Sequence, residues 1–216
     1  MFRTLLIDLD GTLVDSVPDL ASCLNRLMAA RGLPPFVLSE VAAMVGDGVR
    51  VLLERAFVAH GRQPVPRDLN DYMADYAEHL ADETRPFPGA VAALERLRAA
   101  GWAVAVCTNK PEALALGVLT ATGLAPLISA VGGGDRFPVR KPDPGHLLAT
   151  LARAGGSKEA AVMAGDNRND VLAASGAGIP SIFAAWGYGP PAMAEGADAV
   201  AADFADLAEI ALRLRP

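Results

Sequence analysis

The chain has 216 residues, 52% of them hydrophobic and 20% charged, with 19 basic against 25 acidic side chains and a net charge of −6. That supplies enough apolar material for one large domain, or for a core with a smaller insert. A negative surface gains nothing from a long polyanion, so no nucleic-acid partner is expected, whereas a small phosphate ester needs only a local positive site.

Along the chain, Thr4 to Asp8 reads as a short buried strand. It follows Met1 too closely to leave room for the apolar region and small-residue cleavage site of a secretory leader, so a cytoplasmic protein is expected. From about Asp15 to Glu83 the pattern changes to helices. Leu20, Leu24, Leu27 and Met28 share one face, Val49, Leu52, Leu53, Ala56 and Phe57 a second, and Tyr72, Met73, Tyr76 and Leu80 suggest a third. Pro34-Pro35 and Pro64-Val65-Pro66 separate these helices, and Pro86-Phe87-Pro88-Gly89 closes the stretch. The simplest organisation is an all-helical domain, residues 15–83, inserted into a core made of 1–14 and 84–216.

Beyond residue 90 strands and helices alternate. Ala103 to Thr108, Ser129 to Gly132, Ala160 to Ala164 and Ser181 to Ala184 read as strands. Ala90 to Ala100, Glu112 to Thr120, Pro144 to Ala154, Arg168 to Ala174 and Phe204 to Arg213 read as helices. Continuous apolar strands alternating with helices imply an α/β fold, a doubly wound parallel sheet covered on both faces. The long uncharged stretch 113–134 is interrupted by Thr120, Thr122, Gly123 and Pro126, so a helix, a turn and a strand explain it better than a membrane span. Cys23 and Cys107 suit buried apolar positions in a reducing compartment, and no zinc-ligand spacing is present.

The first strand ends Ile7-Asp8-Leu9-Asp10-Gly11-Thr12. Two carboxylates two residues apart project to one side of an extended chain, where they repel each other unless a divalent cation joins them. Three later strand ends carry related groups. Thr108-Asn109-Lys110-Pro111 offers a hydroxyl and loop amides ahead of a helix, a usable phosphate site. Lys141 precedes the helix that starts near Pro144. Gly165-Asp166-Asn167-Arg168-Asn169-Asp170 supplies two further acids suited to magnesium. In a doubly wound sheet all four strand ends open on one crevice.

With those residues in hand, the chain strongly resembles the haloacid dehalogenase superfamily over essentially its whole length, and within it the phosphoglycolate phosphatase-like phosphatases. Asp8-Leu9-Asp10-Gly11-Thr12-Leu13 is similar to the family's first motif, Thr108 to the second, Lys141 to the third, and Gly165-Asp166 with Asp170 to the fourth. The helical insert stands where that family carries its cap. The resemblance implies that Asp8 attacks phosphorus and that Asp10 serves as acid and then base. It further implies that Thr108 and Lys141 hold the phosphoryl oxygens, and that magnesium is bound through Asp8, Asp10 (by its carbonyl), Asp166 and Asp170. Gly11, Thr12, Asn109, Gly48 and Arg50 are the further substrate-binding candidates. Of these, Arg50 in the cap loop Gly46-Asp47-Gly48-Val49-Arg50 is either a contact for a substrate carboxylate or an exposed arginine at a helix entry.

The second acid, Asp10, favours phosphoryl transfer over dehalogenation, which has no leaving alcohol to protonate. Asn167 departs from the serine usual in such phosphatases. His60, His79 and His146 match no motif. The expected activity is magnesium-dependent hydrolysis of a small phosphorylated metabolite, with 2-phosphoglycolate leading. A phosphomutase of the β-phosphoglucomutase type, a phosphatase for another metabolite and a binding protein without turnover are the alternatives.

Overall fold

A computed structural model describes residues 3–214. Its main sheet is built from β1 (Arg3–Ile7), β4 (Trp102–Cys107), β5 (Ala130–Gly132), β6 (Ala161–Gly165), β7 (Ser181–Ala184) and β8 (Ala199–Ala201). All neighbours run parallel, in the order β5-β4-β1-β6-β7-β8. The remaining strands, β2 (Val14–Asp15) and β3 (Arg85–Pro86), form a separate two-residue antiparallel ladder.

Residue alternation sorts the core into two layers. Leu5, Ile7, Val104, Val106, Val162 and Ala164 share one buried cluster with α5 (Ala90–Ala99), α6 (Glu112–Ala121) and α9 (Phe204–Leu214). Leu6, Ala105, Cys107 and Met163 share the other with α7 (Pro144–Arg153) and α8 (Arg168–Ala177). A sheet buried on both faces has no need of polar alternation, which is why its strands read as continuous apolar runs. The uncharged stretch resolves into α6, a 3₁₀ turn at Ala125–Leu127 and β5. Among the described residues no helix is long and apolar enough to cross a membrane.

Between β2 and β3 lie four helices, α1 (Val17–Ala30), α2 (Leu38–Ala42), α3 (Val49–Ala59) and α4 (Pro66–Glu78). The helix faces expected from the sequence bury together in a cluster of their own, joined by Leu114 of α6. The chain leaves for this cap and returns from it side by side, Val14 opposite Pro86 and Asp15 opposite Arg85.

Buried Asp19 on α1 closes the base of the cap. It accepts the amide hydrogens of Glu83 and Thr84, the latter at 2.8 Å, and the Thr84 hydroxyl hydrogen at 2.6 Å. Asp19→Ala would strand these donors, a loss of roughly 3 kcal/mol. For a chain of this size that corresponds to a melting point lower by roughly 6–12 °C. Thermal unfolding followed by circular dichroism checks this, and an unchanged melting point would contradict it.

Candidate active site

Register assembles the site. Ile7 lies opposite both Val106 and Ala164, so Asp8 stands level with Cys107 and Gly165, and Thr108 and Asp166 follow one residue later. Asp8 Oδ1 accepts the Leu9 amide hydrogen at 2.7 Å and lies 2.9 Å from Lys141 Nζ. Its other oxygen has no hydrogen-bond donor from the described residues.

Lys141 is buried between two acids, 2.7 Å from Asp170 Oδ1 as well as 2.9 Å from Asp8. Burial works to neutralise the amine, but the charges of Asp170 and Asp8 outweigh it and hold the ammonium well above the ordinary lysine range. Burial pushes Asp170 up in turn, against the pull of Lys141. Asp170 also accepts the Asn167 amide hydrogen at 3.0 Å, and Asn167 Oδ1 accepts that of Asn169, so a reciprocal cap starts α8.

Asp166 is held by Thr12, whose hydroxyl donates to Asp166 Oδ1 at 2.7 Å and accepts the Asp166 amide hydrogen at 3.0 Å. Its other oxygen accepts the amide hydrogens of Tyr188 and Gly189. Burial, then the charge of Asp8, pushes Asp166 up to about 6. Gly11 permits this closeness. It turns the chain at φ +83°, and a Cβ there would stand 2.6 Å from Asp166 Oδ2.

Asp8, Asp166 and Asp170 each bring a carboxylate oxygen within 4.8 Å of the others, all buried. Three acids against the single Lys141 ammonium leave an excess of two negative charges when all are ionised. A hard, oxygen-seeking divalent cation fits both the donor set and that charge. The Asp10 side chain, whose expected part in metal binding is through the carbonyl, has other partners: Ser16 Oγ donates to it at 2.7 Å, and Lys110 Nζ lies 3.0 and 3.2 Å from its two oxygens.

Asp8, Asp10, Thr108, Asn109 and Lys110 form the floor of a narrow cavity of about 50 Å³ beneath the cap. Leu20, Val45, Val49, Leu52, Tyr72 and Met73 are on the cap side, with Gly46 and Gly48 at its edge. Asn109 donates to the Gly46 carbonyl at 3.0 Å, and Asn169 donates to Asp47 Oδ1 at 2.7 Å. A Cβ on Gly46 would lie 2.3 Å from the Asn167 amide, so the departure at Asn167 falls on the seam between cap and core.

The other expected residues divide. Gly48 lines the cavity, Arg50 is exposed and does not, and the Thr12 hydroxyl is engaged with Asp166 and hence is not turned to a substrate. Both cysteines are buried and free, and burial pushes the Cys107 thiol up to about 12.

Several contributors escaped the sequence reading. Ser16 and Lys110 hold Asp10, Tyr76 accepts from Lys110, and Tyr188 joins Asp166 to the cap hinge. Its hydroxyl accepts the Ser16 and Val17 amide hydrogens and donates to Asp15. Of these, only Lys110 carried a local signal, being a lysine two residues beyond Thr108 at a strand end.

A model of the haloacid dehalogenase-like hydrolase family matches residues 5–184. The chain belongs to that family. This hydrolase is 42% identical over 216 residues to the phosphoglycolate phosphatase of Caulobacter vibrioides, covering 98% of this chain and 91% of that one. It is 41% identical over 207 residues to the phosphoglycolate phosphatase of Agrobacterium fabrum, covering 94% and 89%. Among solved structures, one from Haemophilus somnus 129pt described as a predicted phosphoglycolate phosphatase superposes with a TM-score of 0.88 at 32% identity, over 97% of each chain.

His146, which matched no motif, ties two of the hydrolase's loops together. Its Nδ1 accepts the Lys141 amide hydrogen at 3.2 Å, and Nε2 lies 3.1 Å from the Gly132 carbonyl, which also accepts from the Thr108 amide. Burial, with the Lys141 charge, pulls the ring down to about 4. The unfolded ring takes its proton already near pH 6.5, so the stability gained by keeping it neutral is whole above 6.5 and lost as pH falls to about 4. His146→Phe should therefore flatten the acid limb of the stability–pH curve by about 3 kcal/mol. Urea unfolding across pH 4–7 checks this, and parallel acid limbs in the two proteins would contradict it.

Proposed function

We propose that this phosphomonoester hydrolase removes phosphate from 2-phosphoglycolate by way of a phospho-aspartate on Asp8. The observation that carries the reading is the Asp8 carboxylate. One oxygen is fixed by Leu9 and Lys141, the other has no donor among the described residues, and Asp10 lines the same cavity. A nucleophile held in one rotamer beside a second acid is what a two-step transfer needs.

The free Asp8 oxygen attacks phosphorus and the P–O bond to the alcohol breaks. Asp10 gives a proton to the departing oxygen, then takes one from the water that opens the acyl phosphate. The Thr108 hydroxyl and the Lys141 ammonium face the phosphoryl oxygens, where fixed charge counts for most. Asp8, Asp166, Asp170 and the Asp10 carbonyl would hold magnesium, which supplies positive charge to the transferring group when bound. The cap seam at Gly46 excludes water during the transfer. Two relatives near 40% identity that carry the name phosphoglycolate phosphatase support the substrate.

Phosphate release from 2-phosphoglycolate, sugar phosphates, nucleotides and pyrophosphate, with magnesium and with chelator, tests this. The expected result is magnesium-dependent release led by phosphoglycolate, lowered at least about 10³-fold in Asp8→Asn. Magnesium should also raise the melting point of the wild type, and Asp166→Asn should suppress that shift. Full activity in Asp8→Asn, or transfer to a second sugar hydroxyl instead of to water, would overturn the proposal.

A further inference from the structure

Lys110 has no part in the mechanism above, yet it is the one cation among the described residues that line the cavity. Its ammonium is buried, 2.7 Å from the Tyr76 hydroxyl and 4.5 Å from the centre of the Tyr76 ring. Burial, then the charge of Asp10, holds the Tyr76 phenol far above its ordinary range, so it remains neutral and accepts one ammonium hydrogen. The other ammonium contacts are the two Asp10 oxygens, at 3.0 and 3.2 Å. Around this charge the cavity wall is Leu20, Val45, Val49, Leu52, Met73 and Leu114. An ammonium in apolar surroundings is favourable only with an anion beside it; Asp10 is one, and a second acid entering the cavity would share the same ammonium.

Position then says which part of a substrate meets it. Asp10, as the proton donor, touches the bridging oxygen of the ester. A group hydrogen-bonded to the same carboxylate stands one contact further along the leaving alcohol. In an ester whose alcohol carbon bears a carboxylate, that acid is two bonds from the bridging oxygen and reaches the same place.

We infer that Lys110, oriented by Tyr76 of the cap, binds the substrate carboxylate and selects phosphate esters of α-hydroxy acids over neutral esters of equal size. This rests on the proposed phosphatase reading. It moves the carboxylate contact from exposed Arg50 to a buried lysine, and it makes selection depend on cap closure, because Tyr76 comes from α4.

The test compares kcat and KM for 2-phosphoglycolate and 2-hydroxyethyl phosphate, which keeps the two-carbon skeleton without the acid, in wild type, Lys110→Met and Tyr76→Phe. The wild type should favour phosphoglycolate. Lys110→Met should lower kcat/KM for phosphoglycolate by about 10–100-fold, chiefly through KM, with a much smaller change for 2-hydroxyethyl phosphate. Tyr76→Phe, a gentler change, should move the ratio part of the way. Equal losses on both esters in Lys110→Met would overturn the inference, since the lysine would then only position Asp10. So would an undiminished preference. A wild type inert towards both esters and towards p-nitrophenyl phosphate would remove the phosphatase reading, and this inference with it.

Discussion

Lys141 sits where three strand ends converge, its ammonium between Asp8 and Asp170 and without contact to water. Acids so close would repel each other and resist burial, and one buried cation makes the arrangement tolerable without balancing it fully. The rest of the site follows from that imbalance. Asp166 is drawn off by Thr12 and two backbone amides, Asp10 is turned to Ser16 and Lys110, and one oxygen of Asp8 is left open. The remaining negative charge suits a divalent cation and, through it, a phosphoryl group. The sheet's contribution is register, which brings β1, β4 and β6 to the same level at their carboxyl ends.

The cap completes the site from the other side. Its apolar cluster is largely its own, touching the sheet's layer through Leu114 and Leu80, and polar contacts at Gly46 and Asp47 complete the seam. Parting that seam exposes Leu114 and Leu80 but leaves most of each cluster in place. At the hinge, Tyr188 links Asp15, Ser16 and Val17 to the loop that holds Asp166, while Asp19 fixes the returning chain at Thr84. Ser16 also donates to Asp10, so the first hinge strand is connected directly to the proposed proton donor. Cap position and the orientation of both acids are thus joined by hydrogen bonds on one short segment.

The strands beneath the site were legible because burial on two faces writes them as apolar runs, each ending abruptly at Asp8, Thr108 or Asp166. The elements the sequence concealed are those that depend on distant partners. β2 and β3 exist only because Val14 meets Pro86 across some seventy residues, and two-residue strands carry no periodicity of their own. β8 is three residues at a sheet edge with Val200 exposed, too short and too wet to stand out from a loop. Lys110 was visible as a residue but not as the partner of Asp10, a hundred residues away in the chain. Arg50 drew attention through its charge, yet it falls outside the i, i+3, i+4 set of α3 that faces inward. His146 read as a helix residue without a role, and only the fold shows it bracing the Lys141 and Thr108 loops.

The central claim is that the open oxygen of Asp8 receives the phosphoryl group. Rapid acid quenching during turnover of phosphate-labelled 2-phosphoglycolate, followed by borohydride reduction and peptide sequencing, tests it most directly. The account predicts label on the protein within the first turnover, lost on chase, with Asp8 as the reduced residue. Steady phosphate release without labelled protein, or label on another side chain, would contradict it.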